Sequence, residues 1–287
     1  MDSINQIPQE QEAAGKKKKK KEKEKKSLGM EILSWIGTIL LAVAVAILIR
    51  SFVFQPVRVD GHSMDDTLAD GEIMFVTRFD YSTTWVALPW ADAETQEKAP
   101  RIPFGGAPSR FDVVICRYPG RGGTNFVKRV VGLPGDTVAF EGGWLYVNGE
   151  KQEESYINDD YRKGLNSELD TYRVPAKGDT LVVKDNRLLV NGEIWRWRGG
   201  YLRGVSDDGQ KLEYNQGALY LSGKEITTNS ELEALEGKEF KLPEDYYFVC
   251  GDHRNNSNDS RSVGPITRSM VIGHVRRVLF SDWRAVQ

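Results

Sequence analysis

Two patterns of hydrophobic and polar residues divide the chain. From Ile32 to Ile49 it reads ILSWIGTILLAVAVAILI, eighteen residues without a charge. As a helix at about 1.5 Å per residue this run reaches roughly 27 Å, close to the hydrocarbon thickness of a bilayer. It is apolar on every side, as a core helix of a soluble domain seldom is. Beyond residue 55 helical periodicity is scarce. Short runs rich in Val, Ile, Tyr, Phe and Trp take over, among them FDVVICRY (111–118), FVKRVVGL (126–133), RLLVNGEIWRW (187–197), YYFVCGD (246–252) and MVIGHVRRVLF (270–280). Asn-Gly, Ser-Gly and Pro-Gly pairs punctuate them, and such pairs close tight hairpins, so the pattern predicts antiparallel sheets.

The β region contains an internal echo. Gly135-Asp136-Thr137 followed by LYVNGE (145–150) recurs 43 residues later as Gly178-Asp179-Thr180 followed by LLVNGE (188–193), with a fainter third copy in LYLSGK (219–224). Matching spacing at both ends points to a duplicated β-meander. The expected fold is therefore mainly β, with one N-terminal transmembrane helix followed by a β-rich domain of antiparallel sheets. In outline, residues 1–29 form a polybasic tail and 30–50 an anchor. Residues 51–149 and 241–287 form the main β domain, with 150–240 as an inserted β lobe. A second excursion, 80–108, is rich in Pro, Gly and Trp and reads as a long loop whose Trp85 and Trp90 face either lipid or their own protein.

Charge sharpens the picture of the anchor. Residues 16–26 read KKKKKKEKEKK, nine lysines against two glutamates, while everything after residue 50 carries 29 basic and 35 acidic groups. The tract itself reads as a solvated, disordered tail. By the positive-inside rule it places the N-terminus in the cytoplasm and residue 51 onward outside. Arg50, Phe52 and Phe54 follow the span and suit its outer interface, where a basic side chain snorkels. A cleavable signal peptide has a shorter apolar core followed by a small-residue site, and neither is present. The formal net charge of -2 gives no basic footprint for nucleic acid. Two cysteines and three histidines without a CxxC are poor material for a metal site, and no cofactor is expected.

Chemistry must come from what remains. His274 lies in an apolar run, and His62 is the immediate neighbour of a serine. Cys116 and Cys250 end apolar strands and read as small buried hydrophobes; whether they pair is left open. In Asn125–Val131 the strand period sets Phe126, Lys128 and Val130 on one face and Val127, Arg129 and Val131 on the other. Of the two cations only lysine can lose its proton there, and a neutral amine beside a serine is one of the convergent peptidase arrangements. Equally, Lys128 can snorkel to the strand edge or pair with an acid. Ser63, in VDGHSMDDTL (59–68), lies in what reads by itself as an ordinary turn. The stretch GDHRNNSNDSR (251–261) holds no apolar side chain yet follows directly on YYFVC. It is either a flexible surface loop or a packed polar network whose members satisfy one another and accept the N–H of a neutral lysine.

The ordered set of segments resembles bacterial type I signal peptidase, a membrane-bound Ser/Lys endopeptidase family. The matches are SM-x-x-TL (63–68), R-x-DVV (110–114), KRVVGLPGD (128–136) and GD-x-R-x-NS-x-DSR (251–261), and IRSFVFQPVRV between span and serine also looks like the family's. The resemblance implies Ser63 as nucleophile, Lys128 as general base and Ser257 as the hydroxyl that orients the amine. It places Asp252, Asp259, Arg261 and Arg129 in support of the site, and gives the Ser63 backbone N–H to the oxyanion hole. It also implies exported preproteins as substrates, cut after small residues, and membrane lipid as the surroundings. Ser63 lies thirteen residues beyond Arg50, which would tether it near the outer membrane face.

Four positions depart from the family pattern. Asp66 replaces a proline, which predicts a less rigid turn after Ser63. Gly61 lacks a serine hydroxyl that some members carry, Phe111 replaces a glycine, and His253 replaces an asparagine. Two alternatives stand beside this reading. One is another Ser/Lys maturation protease, of conjugation or repressor type; the other is a membrane-tethered β-rich binding module without catalysis. Oligomeric state is left open.

Overall fold

The computed structural model describes residues 9–49, 54–77, 80–84, 101–103, 106–118, 124–162, 168–279 and 286. Arg50, Phe52, Trp85, Trp90 and most of the 80–108 excursion lie outside the described residues. The chain forms two compact units, Met1–Ile49 and Arg50–Gln287.

The first unit is a single helix, Gln9–Leu48, of 40 residues. Within it Leu28–Leu48 is long and apolar enough to cross a membrane. Leu33, Trp35, Leu40 and Leu41 are all exposed, a surface that water disfavours and lipid would cover. The lysine tract, expected as a disordered tail, continues the same helix. Lysine and glutamate are good helix formers, and Glu22 precedes Lys26 at the favourable i,i+4 spacing.

The second unit is built from antiparallel sheets. One is a seven-stranded sheet in the order Phe54–Arg58, Ile73–Thr77, Val271–Leu279, Val113–Arg117, Asn125–Gly132, Tyr246–Cys250, Ile266–Thr267. The lysine-bearing strand Asn125–Gly132 is thus interior, flanked by Val113–Arg117 and Tyr246–Cys250. A four-stranded sheet comprises Leu169–Arg173, Thr137–Glu141, Trp144–Val147 and Glu150–Lys151. An eight-stranded sheet takes up residues between Thr180 and Lys241, with Glu239–Lys241 inserted between Thr180–Lys184 and Tyr201–Val205.

The echo seen in the sequence is a repeated hairpin. Asn148 and Asn191 both adopt positive φ (54° and 49°), and each side-chain oxygen accepts the backbone N–H of the threonine that starts the partner strand, at 2.9 Å. Ser222, at φ 49°, occupies the same position in the third copy and accepts from Lys211 N at 3.3 Å. One core runs through the seven-, four- and eight-stranded sheets, with Val131 and Phe248 packed with Phe140, Leu145, Leu181, Trp197 and Phe240. A second gathers Phe126, Val130, Val249 and Ile266, and a third gathers Met64, Leu68, Val127 and Val275. Cys116 and Cys250 are both buried and free, on the two strands that flank the lysine strand.

Candidate active site

The site begins with a turn pinned from below. Met64 and Leu68, at 1% and 0% exposure, are buried in the third core. Their burial leaves Ser63 half-exposed on the upper side. The Asp65 N–H donates to the His62 carbonyl at 3.3 Å, and the Thr67 and Leu68 N–H groups converge on the Met64 carbonyl at 3.0 and 2.7 Å. Asp66 sits at φ 74°, a left-handed conformation that proline, locked near −65°, cannot adopt. The turn after Ser63 therefore takes a form closed to proline. It is held by these backbone bonds and by Thr67 Oγ1, which donates to Asp252 Oδ2 at 2.5 Å.

Lys128 stands on the same strand face as Phe126 and Val130, which pack into the second core. It is only 2% exposed, and its Nζ lies 2.7 Å from Ser63 Oγ and 2.8 Å from the Val127 carbonyl oxygen. A carbonyl can only accept, so one amine N–H points there and the lone pair of the neutral amine is left for the serine hydroxyl. Burial, the largest effect, pulls the amine's pKa below its usual value; the carboxylates of Asp259 and Asp252 act in the opposite sense and do not prevail. The N–H acceptor is thus main chain, and not the polar loop.

That loop is nonetheless a packed network. Asp252 and Arg129, at 1% and 0% exposure, form a forked pair, with Nε to Oδ1 at 2.9 Å and Nη2 to Oδ2 at 2.8 Å. Arg129 Nη1 donates to the Phe111 carbonyl at 2.9 Å, and the guanidinium carbon lies 3.7 Å above the Tyr156 ring. Asp259 accepts from Arg261 Nε and Nη2 at 2.9 and 2.8 Å and from the Gly251 N–H at 2.9 Å. Burial raises its pKa, yet the Arg261 charge and these bonds outweigh burial and hold the carboxyl below its ordinary value. Ser257 is packed against Gly251 and so close to the Ser63 carbonyl that a Cβ on residue 251 would collide with both. Its buried hydroxyl lies near enough to Asp259 to help hold that acid ionised, without a well-formed hydrogen bond.

Ser63, Lys128, Arg129, Asp252, Ser257, Asp259 and Arg261 all fall in this region, and the geometry adds others. Thr67 ties the turn to Asp252. Glu154, fully buried, takes two guanidinium groups: Arg254, which bonds both carboxylate oxygens, and Arg162 Nη1 at 3.0 Å. Arg254 Nε also holds the Gly251 carbonyl at 3.1 Å. Glu154 lies in KQEESYIND, a polar stretch with no period to mark it as buried. Phe111 takes φ 72°, a conformation in which a glycine would be unstrained.

The family whose description is Signal peptidase, peptidase S26 matches residues 32–280. The chain belongs to that family. Among its relatives, a signal peptidase I of Streptococcus pneumoniae is 29% identical over 241 residues, covering 84% of this chain and 89% of that protein. One from Bacillus licheniformis is 35% identical over 159 residues, covering 53% of this chain and 73% of its own. Another from Pseudomonas aeruginosa is 30% identical over 218 residues, with 76% and 58% covered. Family membership makes this chain a serine peptidase, a hydrolase of the signal peptidase class, and sets aside the reading as a binding module without catalysis. The family is membrane-associated, in keeping with the apolar helix.

Proposed function

We propose that the chain is a single-pass membrane endopeptidase that removes signal peptides from exported preproteins after small residues, with Ser63 as nucleophile and Lys128 as general base. The observation that carries the reading is the 2.7 Å separation of Nζ and Oγ around a lysine that is 2% exposed. A neutral amine at that distance takes the hydroxyl proton as Oγ attacks the carbonyl carbon preceding the scissile bond. The tetrahedral oxyanion is met by backbone N–H groups, that of Ser63 first. The ammonium then hands its proton to the leaving nitrogen, the mature protein departs as the signal peptide stays acylated on Oγ, and a water deprotonated by the same amine releases the signal peptide.

The supporting residues act through position. Ser257 acts on the site only indirectly, through its packing against Gly251 beside the Ser63 carbonyl. Arg129 and Asp252 lock the lysine strand to the serine turn through Thr67, and Arg261 and Asp259 hold the loop that carries Ser257. The basic tract keeps the N-terminus in the cytoplasm and places residues 51–149 and 241–287 outside as the catalytic domain, with 150–240 as its inserted lobe. The test is preprotein processing in membranes. Ser63→Ala and Lys128→Arg should each lower it at least about 1000-fold while the circular dichroism spectrum is unchanged. Substantial cleavage by either folded variant would remove the pair from consideration.

A further inference from the structure

His253 is bonded to the serine turn at three points. Its backbone N–H donates to the carbonyl of Ser63 itself at 3.1 Å. Its Nδ1 lies 3.0 Å from the His62 carbonyl oxygen and 3.2 Å from Asp65 Oδ2. Those two groups are the first and last residues of the turn His62–Asp65, in which Ser63 is second. Both contacts are acceptors, since a carbonyl and a carboxylate oxygen have no proton to give, so Nδ1 carries the hydrogen. The same ring is stacked on Tyr161, with centroids 3.7 Å apart and planes 23° from parallel. Tyr161 closes a short 3-10 turn, Asp159–Tyr161, whose start is capped by the Asn158 side chain. Its hydroxyl pKa is raised by desolvation and by the carboxylates of Asp66, Asp65 and Asp160.

We propose that His253 is a positioning residue for Ser63, and that Tyr161 holds its imidazole flat so that the Nδ1 hydrogen stays on the turn. The proposal rests on Ser63 being the nucleophile. A turn with one free corner lets Oγ drift from the lysine lone pair, and displacements of about 1 Å at a reacting atom cost on the order of 100-fold in rate. The donor and the ring are separable chemically. An asparagine places its amide nitrogen where Nδ1 stands and has no ring to stack. A phenylalanine keeps a ring on Tyr161 and has no donor.

The experiment measures kcat and KM of the full-length protein in detergent on a soluble peptide with a small-residue cleavage site, beside thermal melts. His253→Phe should lose about 10- to 100-fold in kcat with KM within about twofold of wild type. His253→Asn should stay within about threefold of the wild-type kcat. Tyr161→Ala, a change at a half-exposed position that buries nothing new, should lose about 3- to 10-fold in kcat at an unchanged melting temperature. Wild-type kcat in His253→Phe, or an equal fall in His253→Asn, would overturn the positioning role, and wild-type kcat in Tyr161→Ala would overturn the clamp. Ser63→Ala measured alongside keeps the two ideas apart. Activity in that variant removes the nucleophile, whereas a dead Ser63→Ala beside an unaffected His253→Phe removes only the positioning.

Discussion

At the scale of single residues, the proposed mechanism makes the protonation of Lys128 the common control on activity and stability. Its amine is held below its usual pKa because burial penalises the ammonium more than Asp259 and Asp252 relieve it. Activity on a soluble peptide should accordingly fall on the acid side as the amine gains its proton, with log kcat/KM rising at unit slope up to a plateau. A profile flat from acid to alkaline pH would contradict a titrating base. The sign for stability is opposite to that of a lysine that gains an acidic partner. Between the lowered folded pKa and the ordinary value of 10.5 the unfolded chain binds more protons, so stability rises with pH across that window. Lys128→Met keeps the stem and removes the charge. It should be inactive yet melt a few degrees higher than wild type at neutral pH, the gain shrinking as pH approaches 10.5. Differential scanning calorimetry at several pH values reads this directly. Two other residues show what a linear pattern conceals. Asp66 and Phe111 stand where the family pattern has proline and glycine, and both have positive φ, at 74° and 72°. For Phe111 a left-handed backbone costs roughly 1–2 kcal/mol, and its carbonyl is the acceptor for Arg129 Nη1.

At the scale of elements, strand ends decide the site. The strand Tyr246–Cys250 ends at Gly251, whose N–H binds Asp259 and whose carbonyl binds Arg254. The serine turn and Ser257 are both pressed against its α-carbon. Gly251→Ala should therefore push strand, loop and turn apart at one point. Overpacking of this kind costs about 1–3 kcal/mol, and kcat should fall on the order of 100-fold from displacement of Ser63. A crystal structure of the variant with Ser63 unmoved and wild-type kcat would refute the argument. Much at this scale was legible beforehand. The Asn-Gly turns announced the hairpins because positive φ selects those residues, and the alternation in Asn125–Val131 placed Lys128 on the same face as Val130. The polar loop was legible only as two alternatives, because a sequence shows that charges are present and not whether they pair. Asp252 with Arg129, and Asp259 with Arg261, pair across the fold or within two residues, and neither spacing has a period. Glu154 was invisible for the same reason: its partners Arg162 and Arg254 lie 8 and 100 residues away.

At the scale of the whole molecule, the two units draw on different sources of stability. Among the described residues, the three cores are composed of residues between Val57 and Val286. The helix exposes Leu33, Trp35, Leu40 and Leu41, an apolar surface of the kind a bilayer would cover. Removing residues 1–49 should then leave a soluble peptidase whose melting temperature matches that of the full chain in detergent to within about 2 °C, since the three cores are made from residues 57–286. Cleavage of a soluble peptide should also survive to within about threefold, because Ser63, Lys128 and their partners all lie in the second unit. Processing of a membrane-inserted preprotein should fall much further, by about 100-fold or more, since confinement to the same surface raises the effective concentration of the two reactants and the truncated protein loses it. Equal losses on the two substrates would mean that the helix acts on the chemistry and not on encounter. Undiminished preprotein processing would mean that the β unit finds the bilayer without its anchor.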